Sequence, residues 1–484
     1  MDKNFLTRFI KGLVSTSIGI FLQIVLGFVG LMIAVRYVSK EEFGIFALIQ
    51  VIAALFGILN TLTLEGISVT KFITSVDENN KKKIVNTAIS YKIFISLMMC
   101  LFIFLCRPLI SIIFKSEQLI QLFIYIPLLF LTSSFNELLL NIVQGFHQYK
   151  KMAISHIFIG VVRLFLIITF LIVLKMKVIG LIFAFLFSFV ASILYLFLMV
   201  PVKIKFNFNF LLYKEILKFG FPLGLNSILT FIFTRIDRFI IGAMISPVGV
   251  AHFEIASRIP DSSRRMFESF RSVFFPNMSE LFANKRHAEA ENVLSTSLRL
   301  ISFVTIFAAV VAILFQREII RLLFSERYLA SAPALSILMV SLSIGLIGNV
   351  LGTSLVAFGQ SDKPVKINLV GTITNVVGNF VLIPIFGFMG AAYAALLSRC
   401  ATNPLNVWFL KKAGVRVKVS QYLKPIFAFC VLAIILLLIN PKSLIIKLFL
   451  IVLFLILCMI SSIIRKKDIS TIYSMIRPSV RVSG

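Results

Sequence analysis

The sequence is poor in most of what an enzyme or a secreted domain needs. It has four histidines (His147, His156, His252, His287), scattered without metal-ligand spacing. Its five cysteines (Cys100, Cys106, Cys400, Cys430, Cys458) lie in apolar runs and form no CxxC pair, which excludes a disulfide framework and leaves packing thiols. There is no GxxxxGK followed by Ser or Thr, so phosphate-loop ATP hydrolysis is excluded. The six aspartates never form DxD, the pattern a metal-dependent sugar-nucleotide transferase would use. No nucleophile elbow and no Cys/His catalytic pairing is present. Acidic residues are few, 20 against 48 Lys and Arg.

Long apolar runs are abundant. The 484 residues are 59% hydrophobic with a mean hydropathy of +1.02, the composition of a polytopic membrane protein. The net charge of +28 would suggest nucleic acid in a soluble chain. Here positively charged cytoplasmic loops account for most of it, and no nucleic-acid partner is expected. The opening MDKNFLTRFIKGL has no small-residue cleavage site, so a retained first helix is expected rather than a signal peptide.

Apolar stretches separated by charged or Pro/Gly/Asn turns predict about fourteen spans, at 12–37, 43–70, 84–106, 119–144, 152–174, 178–200, 216–243, 247–276, 292–315, 331–358, 365–385, 388–410, 421–439 and 443–464. With the first end inside, 27 Lys and Arg fall in inner segments and 11 in outer ones, which places both termini in the cytoplasm. The expected fold is therefore all-α and polytopic.

An internal repeat supports a two-lobe plan. At an offset of 207, Ser15, Gly19, Gln23 and Gly27 align with Pro222, Asn226, Thr230 and Thr234, each set spaced i, i+4, i+8, i+12 on one helix stripe. Ser39 and Phe46 align with Ser246 and Phe253. Phe114 and Gly180 align with Phe324 and Gly390 as the offset drifts to 210. The expected lobes are 1–202 and 203–413, six helices each in parallel repeat, with 414–484 adding two more helices and a cytoplasmic tail. Repeats of this kind place a transporter's substrate site between the halves. The Ser15–Gly27 stripe reads as helix packing.

Ten Lys and Arg lie within the predicted spans, where ionisable groups are costly and face protein or water rather than lipid. The stretch 247–276 is richest. Glu254, Arg258, Asp261 and Arg265 share one helix face at i, i+4, i+7, i+11, and Arg264, Glu268 and Arg271 make an adjacent stripe. Two readings stay open for it: a wet, cationic cavity wall, or an internally neutralised helix in which Arg264 and Glu268 pair. Pro260 should kink or loosen this helix. The stretch 216–243 adds Asn226 and Thr230 below Arg235, Asp237 and Arg238. Arg163, Asn375 and Asn379 are further polar candidates for substrate contact. Glu65, with Thr61 and Ser68, and Glu137, with Ser133 and Asn141, extend the acidic set. Uncharged polar stripes equally suit interhelical hydrogen bonds. For Asp237 three roles stay open: balancing buried arginines including Arg258, gating, or coupling to H+ or Na+. Glu65, Glu137, Glu254, Asp261 and Glu268 share the coupling-or-gating candidacy. No metal site and no other cofactor is expected.

The opening helix running into RYVSKEEFGIFAL, the IDRFIIG segment before SPVGVAHFEIA, and the 6+6+2 plan together resemble an oligosaccharide flippase of the Wzx/polysaccharide-transporter type. That family lies in the superfamily that also holds multidrug exporters and the lipid II flippase. The resemblance covers essentially the whole chain. It implies alternating access between two lobes and carriage of an undecaprenyl-pyrophosphate-linked oligosaccharide from the cytoplasmic to the outer leaflet of a bacterial inner membrane. It also implies other polysaccharide assembly proteins as partners. Arginine can hold pyrophosphate by bidentate hydrogen bonds, and Asn, Thr and Ser can meet sugar hydroxyls. Two rivals remain. A drug exporter of the same superfamily should favour acidic groups for cationic drugs. A membrane polymerase or ligase should carry a large outer loop, whereas the longest outer segment here, 316–330, is short.

Overall fold

The computed structural model describes residues 3–64, 66–417, 420, 423–424, 426–429, 431 and 443–460. Among them every regular element is helical. In chain order these are α1 (Lys3–Tyr37), α2 (Lys40–Thr61), α3 (Gly66–Thr74), α4 (Glu78–Leu105), α5 (Arg107–Phe114), α6 (Glu117–Gln121), α7 (Tyr125–Gly145) and α8 (Tyr149–Ile167), which runs on as a π-helix (Ile168–Val173). Next come α9 (Lys177–Met199), α10 (Phe210–Met244), α11 (Pro247–Ala283), α12 (His287–Leu314) and α13 (Gln316–Leu323), then a 3-10 segment (Glu326–Ser331). The chain ends on α14 (Ala332–Ala357), α15 (Asp362–Phe386), α16 (Phe388–Lys412) and α17 (Leu444–Ile460). Most of the expected span 421–439 lies outside the described residues.

Ten of these helices are long and apolar enough to cross a bilayer. With every backbone group bonded inside its own helix, this is the form a chain takes in lipid. The chain is a multi-pass membrane protein. At 37 residues α11 is long enough to span, yet its charges keep it out of those ten.

Local signals explain the helix ends. In the SKEE sequence Ser39 caps α2. Its hydroxyl accepts the Glu42 N–H at 3.1 Å, and the Glu42 carboxylate accepts the Ser39 N–H at 2.8 Å, a reciprocal capping box. Asn209 caps α10 by accepting the Leu212 N–H. Gly359, at φ 84°, follows α14 in the left-handed conformation that ends many helices.

One expectation is corrected. The stretch read as a single span over 43–70 is two helices, broken between Thr61 and Gly66. The buried Asn60 is the physical reason. Its side chain bonds Ser96 and Ser134, and its carbonyls accept the Thr63 hydroxyl, so side-chain hydrogen bonds reinforce the backbone turn from Leu62 to Leu64 on which the helix ends. Thr61 and Ser68 therefore do not share one helical stripe. Pro260 and Pro276, in contrast, both sit inside a continuous α11.

The chain divides into two compact units. Unit 1 holds Met1–Ile255, Leu322–Tyr328 and Asn379–Ala391. Within it α1 lies along α8, with Gly19 against the Ala153 backbone and Gln23 hydrogen-bonded to His156 at 2.9 Å, the packing role expected of that stripe. α10 packs on α2. Gly44 of α2 sits so close to Pro247 that a Cβ there would lie 1.8 Å from the Pro247 carbonyl oxygen. The Arg36 guanidinium donates to the Leu322 carbonyl at 3.0 Å, and Phe43 meets Tyr328 edge-on.

Unit 2 holds Ala256–Arg321, Leu329–Gly378 and Ala392–Gly484. One core in it gathers Phe267, Phe274, Met278, Leu294, Leu298, Ile347, Leu351 and Leu410. Lys447 donates to Glu318 and ties α17 to α13. Burial raises the Glu318 carboxyl, but hydrogen bonds from Lys447 and the backbone, together with the Lys447 and Arg321 charges, hold the group below the usual carboxylate range.

Candidate functional site

In unit 1 the charged end of α10 is neutralised by a neighbour from α11. Arg238 is only 2% exposed. Its Nε donates to Glu254 Oε2 at 2.6 Å, one of its terminal nitrogens donates to the Thr234 carbonyl at 3.3 Å, and its guanidinium lies 5.4 Å from the centre of the Phe253 ring. The adjacent Asp237, also buried, accepts from Asn379 Nδ2 of α15 at 2.6 Å. A buried charge left alone costs several kcal/mol, so such groups persist only when paired and hydrogen-bonded. His252 stands beside them on α11, its ring stacked on Phe388 and edge-on to Tyr328.

The polar residues below on α10 point elsewhere. Thr230 and Thr234 give their hydroxyls to the carbonyls four residues back, Asn226 and Thr230 respectively, as such residues do in helices short of other partners. Asn226 and Thr230 are exposed, and Arg235 is half-buried. Arg163 is held inside unit 1. Its Nε donates to Ser188 Oγ at 3.0 Å and its guanidinium lies 4.0 Å from the Phe185 ring centre and 4.9 Å from that of Phe189. Glu137 is exposed, and its carbonyl accepts from Asn141. Glu65 lies outside the described residues.

In unit 2 the rest of α11 carries its charges toward the surface. Arg258 is half-buried and Arg265 exposed. Arg264 pairs with Asp261 at 3.3 Å, and Arg271 with Glu268 at 3.5 Å, both i,i+3. The pairing of Arg264 with Glu268 considered from sequence is replaced by these two, because on this helix the neighbour three positions back is in reach. Asn375 of α15 is buried. A pocket of about 300 Å³ opens beside α11, lined by Glu268, Arg271, Phe275, Pro276, Thr353 and Val356. Sequence reasoning missed Thr353 and Phe275. Thr353 is a single small polar residue in an apolar helix, and nothing in its spacing distinguishes it from a packing residue. Among the described residues no three His, Cys, Asp or Glu side chains are placed to hold a metal ion.

Paired charges inside a bundle of spanning helices, and a row of arginines along one of them, suit the handling of a charged solute within a membrane. Solved structures share the fold. The lipid II flippase MurJ in an inward closed conformation superposes with a TM-score of 0.75 over 94% of this chain and 99% of that one, at 17% identity. An inward-facing multidrug resistance transporter of the MATE family, in the MOP superfamily, superposes at 0.68 over 83% and 98%, at 16% identity. The chain thus has the fold of a MurJ- and MATE-like transporter.

Residues 33–333 match the polysaccharide biosynthesis protein family, and the chain belongs to it. The capsular polysaccharide biosynthesis protein CapF of Staphylococcus aureus is 22% identical over 421 residues, covering 85% of this chain and 100% of that protein. A probable low-salt glycan biosynthesis flippase of Haloferax volcanii is 24% identical over 197 residues. That alignment covers 40% of this chain and 42% of the relative, so the chain matches about two-fifths of that protein's length.

Proposed function

We propose that this chain is a flippase that carries an undecaprenyl-pyrophosphate-linked oligosaccharide, a repeat unit of a surface polysaccharide, from the cytoplasmic to the outer leaflet of a bacterial inner membrane. Both termini are cytoplasmic in this reading. Two six-helix lobes, 1–202 and 203–413, alternate access to a cationic path, and 414–484 is accessory. The observation that carries it is α11. This 37-residue helix buries Glu254 against Arg238, and beyond that pair it carries four arginines, Arg258, Arg264, Arg265 and Arg271, with three acids, Asp261, Glu268 and Glu280. Ionisable groups this dense in a membrane protein face protein or water and mark the path of a charged solute. A pyrophosphate supplies the anion and matches the arginine fork. The exposed Asn226 and Thr230 suit sugar hydroxyls.

A drug exporter shares the fold, and the sign of the charge on α11 separates the two. Arg258→Ala and Arg264→Ala are each expected to reach the membrane at near-normal levels and to fail to restore surface polysaccharide in a deletion strain. Lys at either position should rescue only in part, since it keeps the charge and loses the fork. Normal surface glycan with both alanine variants would remove these arginines from the path. Export of cationic drugs by a chain that leaves surface glycan untouched would favour the exporter.

A further inference from the structure

The connector between α9 and α10 is neither helix nor an ordinary polar loop. Residues 203–209 run without helical structure, with the sequence KIKFNFN, and Phe210 and Leu211 open α10. Phe206 is 75% exposed, Phe208 58%, Phe210 63% and Leu211 75%. Three phenylalanines at alternate positions thus expose more than half of their surface in one short stretch, Phe208 with its ring also edge-on to Tyr91 at 5.4 Å.

The segment is nonetheless fastened. The Lys205 N–H donates to Asn86 Oδ1 at 3.0 Å and the Asn207 N–H to Ser90 Oγ at 2.9 Å, both acceptors lying on α4. Ile204 and Tyr213 pack on the core that includes Ile84, Ala88 and Ile216, and the Tyr213 ring stacks on Tyr91 at 4.0 Å. An extended chain has backbone N–H groups that need partners, and here α4 provides two of them from side chains. The backbone is held, so the outward phenylalanines are a fixed feature of the surface.

Covalent geometry puts this strap at the membrane boundary. It leaves α9 at its last residue, Met199, and enters α10 at Phe210. At 1.5 Å per residue the 35 residues of α10 extend about 52 Å, far beyond a hydrocarbon core of about 30 Å. A helix of this length leaves some turns outside the core, and Lys214 and Lys218 make its first turns, beside the strap, the ones whose charge favours that place. Lys203, Lys205, Lys214 and Lys218 are all exposed, with Glu215 the one acid among them. Exposed aromatic rings interleaved with lysine are the composition that seats a segment in the headgroup layer, rings toward the acyl chains and ammonium groups toward acidic phosphates.

We propose that residues 203–218 form a membrane-seated strap that binds anionic phospholipid headgroups at the leaflet it faces. Phe206, Phe208 and Phe210 enter the top of the acyl region, and Lys203, Lys205, Lys214 and Lys218 hold the acidic headgroups. The strap joins the two sequence halves, so its lipid contact anchors the connection between them. Nothing in this depends on which cargo the protein carries.

The test uses the full chain in lipid nanodiscs at one copy per disc, with Phe206→Trp in a Trp408→Phe background so that the only indole is on the strap. Discs of phosphatidylcholine are compared with discs containing phosphatidylglycerol, each with and without acyl chains brominated near the headgroup. The expected result is emission shifted to shorter wavelength and mostly lost to the bromines, with acrylamide quenching falling when phosphatidylglycerol is added. Replacing Lys203, Lys205, Lys214 and Lys218 with Gln should abolish that lipid dependence. Phe210→Trp should read the same way, which guards against a local misfold at 206. An indole quenched by acrylamide and untouched by bromines would overturn the proposal. So would emission that changes with protein concentration in detergent but not with bromolipid, which would assign the face to a second copy.

Discussion

Arg238 and Glu254 show how a residue pair decides the fate of a helix in lipid. Neither side chain is tolerable there alone, and together they cost little. Removing one partner of such a buried pair costs about 3–5 kcal/mol because the other charge is left uncompensated, while replacing both with apolar residues is often close to neutral. Arg238→Ala and Glu254→Ala should therefore each lower the melting temperature in detergent, and Arg238→Met combined with Glu254→Leu should recover most of the loss. Single variants that melt with the wild type would show that water reaches the pair. The charges themselves were legible in IDRFIIG and in the following span, and so was the need to bury or wet them. Partners at long sequence separation were not. Asp237 was weighed against nearby arginines, yet one of its partners is Asn379, 142 positions away, and no spacing rule connects two residues on different helices. Arg163 shows the same limit, since its anchors Ser188, Phe185 and Phe189 all come from the next helix.

Among the elements, the helices and most of their ends followed from apolar runs and caps. Ser39 and Glu42 were visible as part of SKEEFG, and their reciprocal bonds explain why α2 starts where it does. The break after Thr61 was hidden because an apolar run predicts a span without saying where side-chain hydrogen bonds will interrupt it. Close approach was equally hidden. The Gly44 contact with the Pro247 backbone locks the start of α11 onto α2, and a carbonyl oxygen cannot move aside as a flexible side chain can. Gly44→Ala should force the two apart, at the cost of about 1–3 kcal/mol typical of overpacking. It is expected to melt lower than the wild type and to raise the reactivity of a Ser246→Cys thiol toward a water-soluble maleimide. Unchanged melting together with unchanged labelling would show that the contact does not hold this end closed.

The molecule as a whole combines a transporter fold shared with MurJ and MATE proteins with membership of the polysaccharide biosynthesis family. Fold alone does not choose between glycan and drug. The choice made here rests on charge: four arginines of α11 with three acids once Glu254 is spent on Arg238, two of those arginines within one turn at Arg264 and Arg265. Transport in vesicles tests that directly. Proteoliposomes of the purified chain would receive a fluorescent oligosaccharide on a prenyl pyrophosphate in one leaflet, and its arrival in the other would be scored by an added glycosidase. The account predicts transfer well above protein-free vesicles for the wild type, and transfer at the protein-free rate when Arg258, Arg264, Arg265 and Arg271 are all replaced with Gln. A wild type no faster than empty vesicles, or a quadruple variant as fast as the wild type, would contradict it.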